Sequence, residues 1–134
     1  MNLSTTQAAI EATLKNSKRF TQVSIWAGEI QALIDTPKQI PSAFVILSGI
    51  DYDLPIGLRH QTATSDNLWS IVVFEYVSQN AVGEIAAYQA IEETVAAVTN
   101  LQITKTLRLW PVRARLLGTV KNSVCCFGIQ FSLI

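Results

Sequence analysis

Residues 67–79 (NLWSIVVFEYVSQ) constrain the fold more than any other stretch of this chain. The run is rich in β-branched and aromatic residues, which favour a strand. Alternation puts Trp69, Ile71, Val73 and Val77 on one face and Leu68, Val72, Phe74 and Tyr76 on the other. Both faces are apolar, so the strand needs a helix on one side and a different cover on the other. Residues 83–99 supply the helix. Ile85, Tyr88, Ile91, Val95 and Val98 recur at helical spacing, and Glu84, Glu92 and Glu93 mark the wet side. Ala86, Ala87, Ala90, Ala96 and Ala97 let this helix lie close to a sheet. The stripe is expected to pack on a sheet containing Phe44, Ile46, Ile71, Val73, Phe127, Ile129 and Phe131.

The remaining elements follow from similar patterns. Ser4 to Gln7 (STTQ) matches a capping box, which places a helix start at Ser4. Leu3, Ile10 and Leu14 then share one stripe, and Lys15, Lys18 and Arg19 fall near the C-terminal end, where the helix dipole favours cations. Val23 and Ile25 read as a short strand stopped by Gly28. Residues 29–35 fit either a helical turn or an extended arm, and Pro37 and Pro41 bracket a turn. Residues 43–50 (AFVILSGI) form an apolar run of buried-strand length. Residues 107–120 form another β region, which Pro111 limits to an edge or a bulge. There Val112, Ala114 and Leu116 face one way and Arg113 and Arg115 the other. Residues 123–133 close the chain as a strand. Cys125, Phe127, Ile129, Phe131 and Leu133 make its apolar face, and Cys126, Gly128, Gln130 and Ser132 the more polar one. Residues 117–121, with Asn122 and Ser123, make the hairpin connection.

At 134 residues there is room for one core, so residues 1–134 are read as a single domain. Charged residues are only 15% of the chain, against about 25% in ordinary globular proteins. So little charge suggests that other subunits cover part of the surface. No run approaches the roughly 20 apolar residues that span a bilayer, and residues 1–10 show no secretory signal, so no membrane partner is expected. The ten bases and ten acids cancel, but unevenly. Residues 1–99 hold all ten acids and five bases, net −5, and residues 100–134 hold five bases and no acid, net +5. A chain with one acidic and one basic end can stack on copies of itself or on a polar partner.

Motifs for chemistry are sparse. There is no Gly-rich phosphate loop, no G-x-S-x-G and no H-E-x-x-H, so no cofactor or catalytic set is expected. Asp51 and Asp53 could form a weak metal site or acid pair, although a solvated turn entrance accounts for them better. His60, with Ser65 and Asp66 nearby, could act as a general base. Cys126, on the more polar face, could be a reactive thiol, although no neighbouring cation is assignable and an inert thiol is favoured; adjacent to Cys125, it has no disulfide or zinc spacing, and reduced thiols fit a cytoplasmic place of folding. Trp26, Trp69 and Trp110 could stack bases, though aliphatic neighbours favour core or interface packing. In residues 52–66, Leu54, Ile56 and Leu58 put apolar side chains at alternate positions beside Arg59. That segment is expected to be mobile in the free subunit and covered by a partner on assembly. Arg113 and Arg115 could meet acids of a neighbouring subunit (Asp51, Asp53 and Asp66 are candidates), touch passing DNA, or form a solvated face.

Taken together, a capped helix, VSIWAGE, a proline before SAFVIL, LWSIVVFEYVSQN running into EIAAYQAIEETVAAV, and a basic β region closed by VCCFGIQFSLI resemble the small phage tail-terminator, or tail-completion, proteins of Mu-like phages and prophages. The resemblance covers nearly the whole chain, in element order and apolar pattern. Residues 52–66 and the cysteine pair have no counterpart in that pattern. It implies an α+β subunit with two helices packed on one face of a mixed, mostly antiparallel sheet. It implies a structural protein without catalytic residues or cofactors, acting as a ring of six that caps the tail tube in the tail-neck region after assembly in the host cytoplasm. The implied partners are further copies, the tail tube protein and a head-completion or neck protein. A neck or head-completion protein is the alternative within the same set, and a small enzyme or ligand-binding domain using Asp51, Asp53, His60 or Cys126 the alternative outside it.

Overall fold

A computed structural model describes residues 3–52, 65–78, 83, 85–120 and 123–134. Along the chain lie α1 (Leu3–Asn16), β1 (Gln22–Ile25), α2 (Ile30–Asp35), β2 (Ser42–Tyr52), β3 (Ser65–Tyr76), α3 (Ala86–Val98), β4 (Leu109–Val120) and β5 (Val124–Leu133). The strands form one sheet in the order β1-β2-β3-β5-β4. The β1–β2 ladder is parallel and the other three are antiparallel. The chain is thus an α+β domain with a mixed, mostly antiparallel sheet.

The doubly apolar β3 sits at the centre, as its composition requires. Trp69, Ile71 and Val73 join Ala43, Val45, Ile129 and Phe131 on one face, beneath Ile10 and Leu14 of α1 and Ala90 and Val98 of α3. Val72 and Phe74 join Phe44, Ile46 and Cys126 on the other. That second face is covered by α2, through the fully buried Leu33. A six-residue helix has too few internal bonds to stand alone. It is held by packing, by the Trp26 indole N–H donating to the Glu29 carbonyl (3.2 Å), and by the Lys38 ammonium donating to the Ile34 carbonyl (3.1 Å). Two helices therefore share one face as expected, and the 29–35 segment supplies a third on the opposite face. Phe44 and Ile46, expected beneath the α3 stripe, lie on the α2 side instead.

Helix α3 is rotated from its expected orientation. Its buried residues are Ala87, Ala90, Thr94 and Val98. Ile91 and Val95 flank this line, half-buried, and Tyr88 is 57% exposed. Small side chains allow the closest approach to the sheet, so they take the centre of the contact and push the larger ones aside. Thr94 is tolerated there because its hydroxyl donates to the Ala90 carbonyl at 2.7 Å. Tyr88 is accordingly a surface residue.

At the far ends of α1 and β3, Arg19 ties three elements together. Its guanidinium donates to Glu75 (3.1 Å) and to the Ala86 carbonyl (3.0 Å) and pairs with Glu93 (3.2 Å). Glu75 is buried and also accepts the Tyr76 N–H at 2.9 Å.

Strand β4 is an edge strand, with irregular register at Pro111/Arg113 and at Leu116/Gly118. It continues through Leu117 to Val120, residues expected in the hairpin connection, and Val120 pairs with Val124 across a turn in which Ser123 has φ 61°.

Candidate functional site

The surface that stands out is the outer margin of β4. Apart from Leu109 at its start, no backbone partner beyond β5 reaches this strand among the described residues. Arg113 is opposite Gln130 and Arg115 opposite Gly128, so both arginines lie on one face, as expected. Their Cα atoms are about 7 Å apart at the ordinary strand rise. Both are exposed, and neither makes an ion pair among the described residues. Around them Trp110, Val112 and Leu116 are 51%, 47% and 56% exposed. Val112 and Leu116 thus do not join the core: Val112 sits in the register shift, and Leu116, opposite Phe127, lies at the sheet margin. Proline, bulges and arginines are devices that keep an edge from pairing indiscriminately. This edge carries all three, yet still presents a tryptophan and two aliphatic side chains to solvent.

On the arginine face, a groove of about 460 Å³ runs between the start of α2 and β4. Arg115 and Leu117 form one wall and Glu29 and Ile30 the other, over a floor that includes Ser48, Ser70 and Gln130. The Ser48 and Ser70 hydroxyls hydrogen-bond to each other.

A second groove, of about 470 Å³, lies along α3, lined by Gly83, Ile85, Tyr88, Gln89, Glu92 and Glu93. The helical spacing of Tyr88 with Ile91 and Val95 points it to the core, so the pattern alone does not reveal this groove. The run of alanines at 86, 87 and 90 was the available signal, since it marks the face that can approach the sheet most closely.

The other candidates fare differently. Leu54, Ile56, Leu58 and Arg59, with Asp53 and His60, lie outside the described residues. Asp51 pairs with Asp66 in the β2–β3 ladder. No group of three or more His, Cys, Asp or Glu side chains that could hold a metal occurs among the described residues. Of the three tryptophans, Trp69 is buried in the core and Trp26 is half-buried against α2, which leaves Trp110 as the exposed one. No helix among the described residues is long and apolar enough to cross a membrane.

The structure favours the inert reading of Cys126 over the reactive one. Helix α2 covers that part of the sheet, and Cys126 is fully buried. Burial pushes its pKa from 9.0 up to about 12, against a weaker opposing pull from Lys38. Burial also raises Cys125, whose thiol donates to the Glu75 carbonyl at 3.4 Å. Below pH 9 both the folded and unfolded chains keep the Cys126 proton. Between pH 9 and about 12 the unfolded chain releases it first, so this group lowers stability as pH rises through that window. Urea unfolding of Cys126→Ala should therefore show a shallower alkaline decline than wild type. Iodoacetamide should label the native thiols far more slowly than the urea-unfolded ones. Equal labelling rates would contradict the burial.

No family model matches the chain, and no curated protein matches it. Among solved structures it is similar to a chain of the "Virion of native gene transfer agent (GTA) particle". The identity is 17%, the TM-score 0.56, and the match covers 95% of this chain and 91% of that one. At that identity the likeness is one of fold.

Proposed function

We propose that this chain is a structural virion-assembly protein that caps the phage tail tube as a ring, ends tail growth and prepares the tail for head joining. The observation that carries the reading is the shared fold, over nearly the full length of both chains, with a chain of a virion. The low charge and the apolar, arginine-bearing β4 edge also suit a subunit that works surrounded by other proteins. In this reading the protein performs no catalytic step and needs no cofactor. It forms a ring of six copies, contacts the tail tube protein and a head-completion or neck protein, assembles in the host cytoplasm and ends in the tail-neck region. Arg113 and Arg115 serve subunit contacts, as do Leu54, Ile56, Leu58 and Arg59 in the 52–66 segment, with DNA as a passing neighbour.

Deleting the gene from the phage or prophage that carries it tests the reading by electron microscopy. Tails of irregular, excessive length that fail to join heads are expected. Tails of normal length that remain headless would instead favour a neck or head-completion protein. Normal particles would overturn both.

A further inference from the structure

We propose that the β4 edge of one copy docks in the α3 groove of the next, so that subunits join head to tail. The contact rests on the ring reading and gives it a specific geometry. The two surfaces are complementary in charge. Arg113 and Arg115 on the edge have no ion pair among the described residues, and neither has Glu92 in the groove. Glu93 beside it, although paired with Arg19, keeps a side chain 54% exposed. They also match in residue type. Each surface presents one large exposed aromatic, Trp110 at 51% and Tyr88 at 57%. Trp, Tyr and Arg are the residues that most often anchor protein interfaces.

A second copy is the occupant because one chain carries both halves of the match. Residues 100–134 are net +5 without an acid, and residues 1–99 are net −5. Pairing two β4 edges with each other is disfavoured, since it would gather four arginines about a strand interrupted by Pro111 and two register shifts. Edge and groove are different surfaces, so the contact is heterologous and repeats from copy to copy, closing a ring when the rotation allows.

The test joins Tyr88→Cys and Leu116→Cys in one chain and treats the folded protein, at high concentration, with a flexible bis-maleimide. The buried Cys125 and Cys126 stay out of reach. A ladder extending beyond the dimer is expected from the double variant, and none from either single one. Adding Arg113→Glu and Arg115→Glu should abolish the ladder, and adding Glu92→Arg to that chain should restore it in part. Circular dichroism checks that every variant is folded. Absence of a ladder, a ladder indifferent to charge reversal, or equal cross-linking of a single-cysteine variant overturns the contact. No ladder combined with overlong tails on gene deletion would sink the contact alone. A charge-sensitive ladder combined with normal particles would sink the tail-capping reading alone.

Discussion

Phe74→Ala is expected to lower the free energy of unfolding by about 3–5 kcal/mol, the range for an aromatic removed from a packed core. Phe74 is fully buried in the central strand, flanked by Ser42 of β2 and Cys126 of β5. Its ring meets Phe44 edge-on, with centroids 5.8 Å apart and planes at 88°, and the Lys38 ammonium sits 4.3 Å from its centroid. Truncation removes both ring contacts and opens a cavity beneath α2, a helix too short to persist without that packing. Domains of this size are stable by about 5–15 kcal/mol, so the loss is a large share of the total. Phe74→Leu, which retains most of the volume, should cost less than about 1.5 kcal/mol. Urea titration of the two variants gives the comparison. An unchanged midpoint for Phe74→Ala would mean that α2 does not cover this face.

Arg19→Ala should cost about 3 kcal/mol, because it leaves the Glu75 carboxylate buried without its partner. Glu75 has a side chain only 5% exposed, whereas Glu93, the second partner of Arg19, is open to water and contributes little. The asymmetry makes a double-mutant cycle informative. Glu75→Gln in the Arg19→Ala background should recover much of the loss, since a neutral amide is far cheaper to bury than an unpaired charge. If Glu93→Gln restored as much as Glu75→Gln, the account of a buried, arginine-held carboxylate would be wrong.

Strand period is legible because it is short and its signal redundant, but in β2 it does not say which apolar face α3 covers, and Phe44 and Ile46 lie on the α2 side. In β5 the alternation names Ile129, Phe131 and Leu133 as the face beneath α1 and α3, while Phe127, expected with them, is half-buried outside that cluster, and Pro111 alone marks β4 as irregular and marginal. Reading failed where contact depends on depth rather than polarity. Tyr88 has the right spacing for the α3 stripe, but Ala87 and Ala90 come nearer to the sheet and turn it outward. Cys126 falls on the more polar side of its strand, yet a helix ambiguous in sequence covers it. Arg19 reads locally as a helix-end cation, and nothing nearby in sequence points to Glu75, 56 residues away. The β4 surface was half legible. Its paired arginines follow from alternation, whereas the exposure of Leu116 follows from the strand's place at the margin.

The place of β5 in the sheet bears on how the chain is made. It lies between β3 and β4, although it is the last of the five strands to be synthesised. As the polypeptide grows, β1, β2 and β3 can pair early, but the other edge of β3 has no ladder until β5 emerges. During that interval the side chains destined for both cores, Ile71 and Val73 on one face and Val72 and Phe74 on the other, belong to a half-built sheet with an open edge. Such an edge is the kind to which chaperones or a neighbouring nascent chain can bind. The contacts that end this exposure span 48 residues at Tyr76 with Val124 and 66 at Asn67 with Leu133, so closure depends on a long-range encounter late in synthesis.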